Sequence, residues 1–147
     1  MIAALRAGSA IAFLAVLVAG CGGTDDRVKV QGKLLDNGKA FSLDASKLKL
    51  PPGATGLPPG TKPIQIIFVP AEGGDTSSAI VSETDWTFTV SGPDGKGIKP
   101  GKYKIAVTGG AGGGSPDYFG GKFSLDRTPI VRDVKAGEAI EIDVAKP

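Results

Sequence analysis

Residues 86–107, WTFTVSGPDGKGIKPGKYKIAV, decide the fold that this sequence predicts. Apolar and polar side chains alternate on both sides of a stretch that is rich in Gly and Pro. A period of two puts successive side chains on opposite faces of a β-strand, and Pro-Asp-Gly and Lys-Pro-Gly are turn sequences. The stretch therefore predicts two strands, at 86–90 and 103–107, joined by tight turns.

The same alternation extends through most of the chain. It covers 28–34 and 140–144, and Asn37-Gly38 after the first of these is a strong signal for a two-residue hairpin. The continuous apolar run at 64–69 predicts a strand that is buried on both faces. Weaker strand segments occur at 41–43, 79–81, 123–125 and 130–134.

These strands predict the fold class. Windows free of Gly and Pro show no helical period, and 47–50 also alternates, so no helix is expected there. About seven short strands with turns between them are typical of an all-β protein, an antiparallel β-sandwich of Ig-like type. The side chains expected to face the core are Val28, Val30, Leu34, Ile66, Phe68, Trp86, Phe88, Val90, Tyr103, Ile105, Val107, Ile140, Ile142 and Val144.

The composition excludes several function classes. The chain has 147 residues, no histidine, one cysteine and a net charge of +2. Without histidine there is no Ser-His-Asp triad and no usual zinc site, and one cysteine cannot form an intrachain disulfide. A net charge near zero disfavours a nucleic-acid partner. We therefore expect no catalytic residue, no cofactor and no metal site.

The N-terminus has the pattern of a targeting segment. Arg6 precedes an apolar run at 10–19, which is too short to cross a bilayer and suits a secretory signal peptide. The run ends in Val18-Ala19-Gly20-Cys21, which resembles the bacterial lipobox. An ordinary signal peptide with a chance cysteine is the alternative.

The lipobox resemblance implies cleavage between Gly20 and Cys21 and attachment of acyl chains to Cys21. Two or more acyl chains give stable membrane anchoring. In such lipoproteins Gly22 after the cysteine favours the outer membrane of the cell envelope, facing the periplasm or the cell exterior. The predicted organisation is a signal peptide at 1–20, the lipidated cysteine with a tether at 21–27, and a β-sandwich domain at 28–147.

Several short motifs, in order, resemble transthyretin-like or carboxypeptidase-regulatory-like domains. They are Val30-Gln-Gly32-Lys33 with Asp36-Asn37-Gly38-Lys39, Ile67-Phe68-Val69-Pro70, Thr84-Asp85 with Phe88-Thr89-Val90, and Pro100-Gly101-Lys102-Tyr103-Lys104-Ile105. The segments from Lys122 to Val134 and the end at Ile142-Asp143-Val144 resemble the tail of small lipoproteins that carry this domain.

The resemblance implies a non-catalytic accessory or envelope module without a shared active site. This chain departs from the family pattern in two places. Asp85-Trp86 stands where the family has Asp-Gly, and an additional proline-rich loop lies between Leu43 and Pro63.

Three hypotheses for function follow. The first is a lipid-anchored, structural or interacting envelope module that binds a protein or the cell wall through the loops at 51–63 and 109–121, because binding residues gather on loops of a rigid scaffold. The second is a carbohydrate-binding module that uses Trp86 or Tyr118 as a stacking platform, although Trp86 in phase with Phe88 is better explained as a core residue. The third, a hydrolase, lacks a histidine and a carboxylate-pair motif.

Two groups of charged residues each have a structural and a functional interpretation. The loop carboxylates are either turn formers or, less plausibly, calcium ligands without the usual spacing; they are Asp36, Asp75, Asp85, Asp94 and Asp117. The lysines either protect strand edges or meet an anionic surface polymer; they are Lys96, Lys99, Lys102 and Lys104.

Overall fold

A computed structural model of the protein describes residues 26–50, 53–112 and 115–147. The predictions for the signal peptide, for cleavage after Gly20 and for lipidation of Cys21 lie outside the described residues. So do two residues of each predicted binding loop, 51–52 and 113–114.

The described chain contains nine strands and a single one-turn 3-10 helix. In chain order the strands are β1 (Val30–Asp36), β2 (Lys39–Ala40), β3 (Ile64–Pro70), β4 (Ser77–Ser78), β5 (Ile80–Val81), β6 (Thr87–Val90), β7 (Gly101–Gly109), β8 (Val131–Val134) and β9 (Ile140–Asp143). The 3-10 helix is Ala45–Lys47, capped by the Asp44 side chain, and its last residue is the first of the segment 47–50 in which no helix was expected.

The strands form two sheets, which confirms the prediction of an all-β sandwich. One sheet runs β2-β1-β6-β5, with β9 also paired to β1, and the other runs β4-β3-β7-β8. Every pair is antiparallel except β1 with β9, which is parallel. The number exceeds the expected seven because three of the strands have only two residues.

Three local predictions were wrong. Residues 41–43 and 123–125 are not strands, although Phe41 and Phe123 are buried. Strand β3 is not buried on both faces, because Ile64, Ile66 and Phe68 point into the core whereas Gln65 is exposed and Ile67 and Val69 are half-buried.

The core lies between the sheets and is formed as the alternation predicts. All expected inward residues are buried except Val28 and Val144, which are half-buried and pack against the core. Core residues that the expected set did not include are Phe41, Leu48, Ile64, Ile98, Phe123, Ile130 and Val134. Most of these lie outside the strands with the clearest alternation.

The Asn37-Gly38 hairpin joins β1 and β2 as predicted. Both residues have left-handed backbone angles, with φ of 52° and 76°, which is the geometry of a type I′ turn. The Asp143 carboxylate, at the end of β9, accepts hydrogen bonds from the backbone N–H groups of Asn37 at 2.9 Å and Gly38 at 2.8 Å. The C-terminal strand thus holds the first turn of the domain.

Different loops lie at the two ends of the sandwich. At the end that we call proximal, the described chain enters through a backbone bridge between Val28 and Ile98. This end also carries the loops 71–76 and 91–100. The opposite end, called distal, carries the hairpin turn and the loops 41–63, 82–86 and 110–121.

Contacts at the proximal end extend the domain to Arg27, which the sequence placed in the tether. The Arg27 guanidinium lies 2.6 Å from the Asp94 carboxylate. Val28 and Ile98 exchange two backbone hydrogen bonds of 2.8 and 2.9 Å. A Cβ atom on Gly97 would collide with the backbone of Val28, so only glycine permits this close approach.

Candidate functional site

The structure brings the two predicted binding loops together at the distal end. The Gly110 N–H donates to the Pro63 carbonyl at 2.9 Å, so the loops leave adjacent strands side by side. The Asp44 N–H donates to the Tyr118 hydroxyl at 3.2 Å, which ties the glycine-rich loop to the segment that follows β2. We call the outer surface of loops 53–63 and 110–121 the distal surface.

A single carboxylate fixes the glycine-rich loop. Asp117 accepts hydrogen bonds from the backbone N–H groups of Gly109 and Gly121, both at 2.6 Å. The Tyr118 N–H donates to the Gly109 carbonyl at 2.6 Å. Asp117 therefore holds the described part of this loop at both of its ends.

A shallow groove of about 220 Å³ lies between the two loops. Its lining is mainly polar and includes Lys62, Gln65 and Thr108, with backbone exposed at Gly110. The Ser115 hydroxyl, also in the lining, is buried without a hydrogen-bond partner among the described residues. The groove therefore offers side-chain and backbone polar groups to a ligand.

Trp86 is a core residue, as its alternation with Phe88 indicated. Its side chain is only 9% exposed, and its ring meets Phe41 edge to face with centroids 5.1 Å apart. A sugar ring stacks on an exposed aromatic face, and Trp86 presents none. Trp86 is therefore not available as the stacking platform of the carbohydrate hypothesis.

Tyr118, the other candidate for sugar contact, is half-buried in an aromatic cluster. It packs against Phe119 with ring centroids 5.0 Å apart and against Phe41 at 6.3 Å. Phe119 in turn contacts Phe123 at 5.5 Å. The cluster attaches the glycine-rich loop to the core beneath the distal surface.

The turn before β6 contains a residue with a left-handed backbone conformation, although that residue is not glycine. Trp86 has φ of 57°, at the position where the resembling family has Gly. The Asp85 side chain accepts hydrogen bonds from the Thr87 N–H at 3.2 Å and its hydroxyl at 2.9 Å. Hydrogen bonds from the side chains of Ser82 and Thr87 lower the pKa of Asp85. Burial of the indole holds Trp86 in a conformation that costs about 1–2 kcal/mol.

The loop carboxylates mostly serve as turn formers, as the sequence predicted for Asp85, Asp94 and Asp117. The hydrogen bond from the Lys96 N–H, together with Arg27, lowers the pKa of Asp94. Two further carboxylates with this role, Asp44 and Asp143, were not singled out by the sequence. No group of three or more acidic or cysteine side chains within 26–50, 53–112 and 115–147 is placed to hold a metal ion.

The lysines at 96–104 belong to the proximal end. The sequence suggested that these lysines protect a strand edge. Strand β7 is an internal strand between β3 and β8, so Lys102 and Lys104 do not have this role. Both point to the outer face of their sheet, and Lys99 lies in the loop that precedes it.

None of the helical structure in the described residues is long and apolar enough to cross a membrane. Comparison with protein-family models, with curated proteins and with solved structures gives no match to this chain.

Proposed function

We propose that this protein is a non-catalytic, lipid-anchored module of the cell envelope that binds an envelope protein through its distal surface. One observation carries the proposal: the two loops converge at the end of the sandwich opposite to the end where the chain enters. A module held to a membrane at its N-terminus would then present its binding loops away from that membrane.

The lengths of the tether and the sandwich support this orientation. Arg27 lies six residues after Cys21 in the sequence, and a fully extended chain covers about 3.5 Å per residue, or about 20 Å in all. The nine-residue strand β7 spans about 30 Å at 3.3 Å per residue. A tether shorter than the sandwich prevents the full inversion of the domain that would leave the distal surface facing the anchoring membrane.

The side chains at the distal surface favour a protein partner over a polysaccharide. Every aromatic side chain of residues 26–50, 53–112 and 115–147 is buried or half-buried. The loops offer polar groups such as Lys62 and Gln65 and backbone at the glycines. Such a surface suits hydrogen bonding to a polypeptide, whereas stacking on a sugar needs an exposed ring face.

Removal of the acylated thiol tests the anchor. In cells, Cys21→Ser should move the protein from the membrane fraction to the soluble fraction, because the attachment atom for the lipid is lost. Fractionation followed by immunoblotting measures the change, with the unsubstituted protein as the control. Continued retention of the variant in membranes would contradict lipid anchoring.

Site-specific photocrosslinking tests the binding surface. A photoreactive amino acid placed at Thr55 or at Pro116, both exposed on the distal surface, should give an adduct with the same envelope protein. The matched control is Glu138, which is exposed in the turn between β8 and β9 at the proximal end. Equal adducts from all three positions would contradict a distal binding surface, and an adduct with glycan alone would support the polysaccharide alternative.

A second variant tests whether the loop conformation matters. Asp117→Asn keeps the size of the side chain but loses the charge that binds two backbone N–H groups, at a cost of about 2 kcal/mol in local stability. The adduct from Pro116 should weaken several-fold. Asp126→Asn removes an exposed charge nearby and should leave the adduct intact, so an equal effect of both variants would argue against the role of the loop.

A further inference from the structure

A second groove, of about 490 Å³, opens at the proximal end between loops 71–76 and 91–100. Its apolar lining includes Pro70, Pro100 and the edge of Tyr103. The Tyr103 ring is only 4% exposed, and its hydroxyl donates to the Lys99 carbonyl at 2.9 Å. A volume of this size is typical of sites for small ligands.

Charges of opposite sign enter this groove from two different segments. Loop 71–76 contributes Glu72 and Asp75 to the lining, loop 91–100 contributes Lys99, and the start of β7 contributes Lys102. All four residues are exposed. None of their side chains forms an ion pair with another residue in the described parts of the chain. The groove can therefore meet a ligand with one anionic and one cationic group.

The position of the groove indicates where such a ligand would come from. Arg27, the last residue before the bridge to Ile98, lines the same groove. If Cys21 carries lipid, as the proposed function requires, an extended tether keeps this end within about 20 Å of the membrane surface. The ligand then most available to the groove is a phospholipid head group.

We propose that the proximal groove binds the head group of phosphatidylethanolamine in the anchoring membrane. Lys99 and Lys102 bind the phosphodiester, and Glu72 and Asp75 accept hydrogen bonds from the primary ammonium. This inference rests on the proposed lipid anchor and adds a second, specific contact with the same membrane.

The residues of the groove discriminate among head groups. A purely anionic head group would meet repulsion from Glu72 and Asp75. Choline has no N–H donor for these carboxylates, and its recognition usually relies on exposed aromatic faces, which Tyr103 does not provide. A primary ammonium next to a phosphate satisfies both pairs of charges.

Depth-dependent quenching in vesicles tests the proposal with the mature lipidated protein. Because Cys21 is the only cysteine and is acylated, one introduced cysteine can be labelled selectively. A fluorophore on Pro93→Cys, which lines the groove, reports contact with nitroxide-labelled lipids. The same fluorophore on Pro58→Cys, exposed at the distal end, is the matched control.

We compare vesicles of phosphatidylcholine alone with vesicles that also contain phosphatidylethanolamine or phosphatidylglycerol. Occupancy of the groove, reported by quenching at Pro93, should be about fivefold higher with phosphatidylethanolamine, the size of effect that one exposed ion pair supplies. Quenching at Pro58 should stay low in all three. Equal quenching at Pro93 in all three vesicles, or a preference for phosphatidylglycerol, would overturn the proposal.

Charge-neutral variants identify the groups responsible. Glu72→Gln with Asp75→Asn should remove the preference for phosphatidylethanolamine over phosphatidylcholine, and Lys99→Gln with Lys102→Gln should lower quenching in every vesicle. All four side chains are exposed, so circular dichroism should show an unchanged fold. A preference that survives both pairs of substitutions would refute the assigned contacts.

A control pair and a separate readout keep the two proposals distinct. Lys39→Gln with Lys49→Gln removes the same charge from the distal end and should change nothing at Pro93. Flotation of the protein with vesicles measures the anchor independently. If the protein floats but the Pro93 label shows no lipid preference, the anchor stands and the head-group site fails.

Discussion

The two ends of this sandwich are held together by different kinds of contact. At the proximal end, the backbone of Val28 lies directly against Gly97 and Ile98, with no room for a Cβ atom between them. At the distal end, the rings of Phe41, Trp86 and their neighbours fill the space beneath the loops. One end depends on the absence of side chains and the other on their bulk.

The difference indicates what each end can change without loss of the fold. A backbone contact has one geometry, so the proximal end fixes the direction in which the chain enters the domain at Arg27 and Val28. Aromatic rings pack in several edge-to-face arrangements. The loops above the distal rings can therefore vary while the sandwich beneath them stays intact, as expected of a binding surface.

Loss of the Trp86 ring should cause the largest loss of stability. Trp86→Ala removes a buried ring and should lower the free energy of unfolding by about 4 kcal/mol in urea denaturation. Trp86→Gly loses the same ring but relieves the left-handed backbone, so it should be about 1 kcal/mol more stable than the Ala variant. An Ala variant equal to or more stable than the Gly variant would show that the left-handed conformation costs nothing.

Adding a methyl group at Gly97, where the backbone lies against Val28, should give the second-largest loss of stability. Gly97→Ala places a Cβ atom in the backbone of Val28 at a φ of 115°, and should lower the free energy of unfolding by about 3 kcal/mol. Gly95→Ala in the same loop also has a positive φ, of 75°, but no atom lies within 4 Å of its Cβ, so about 1 kcal/mol is expected. Equal losses in urea denaturation would mean that the close approach contributes nothing.

Acidification should give the smallest loss of stability of the three, through the carboxylate of Asp143 that holds the Asn37-Gly38 turn. Partial burial raises the pKa of Asp143, but hydrogen bonds from the N–H groups of Ala145, Gly38, Asn37 and Lys146 outweigh it and bring the pKa below the ordinary value of 3.8. The ionised carboxylate therefore stabilises the fold fully above pH 3.8, and this contribution is lost as pH falls through the lowered pKa.

Asp143→Asn should accordingly reduce the decline of stability in acid. The pH dependence of the urea midpoint measures the decline, and NMR titration of the Asp143 carboxyl carbon locates its midpoint. Because the pKa values of Asp44, Asp85 and Asp94 are also lowered, the variant should retain part of the decline. A titration midpoint at or above 3.8 would contradict the role of Asp143.

The sequence predicted those parts of the fold that depend on local pattern. Alternation located the main strands and most of the core, and Asn37-Gly38 located the hairpin. Sequence pattern did not predict the role of Thr128. Its hydroxyl donates a hydrogen bond to the Ile105 carbonyl at 2.6 Å, where a neighbouring strand would otherwise pair. That contact joins residues that are 23 positions apart in the chain, so no local sequence pattern predicts it.

The candidate site was predictable only in part. Gly and Pro content identified the two distal loops, but their adjacency arises from the pairing of β3 with β7, in which Ile64 is opposite Gly109. The proximal groove was not foreseen, because its charges come from segments that only the sheet topology brings together. The burial of Trp86 followed from alternation, but its left-handed backbone did not.

The parallel pairing of β1 with β9 has a consequence for the order in which the chain can fold. Gly32 lies beside Ile140, and Leu35 beside Asp143, so this pairing can form only after residues 140–143 have been synthesised. Contacts of such long sequence separation slow folding. The sheet that contains β1 is therefore complete only after nearly the whole described chain has been synthesised.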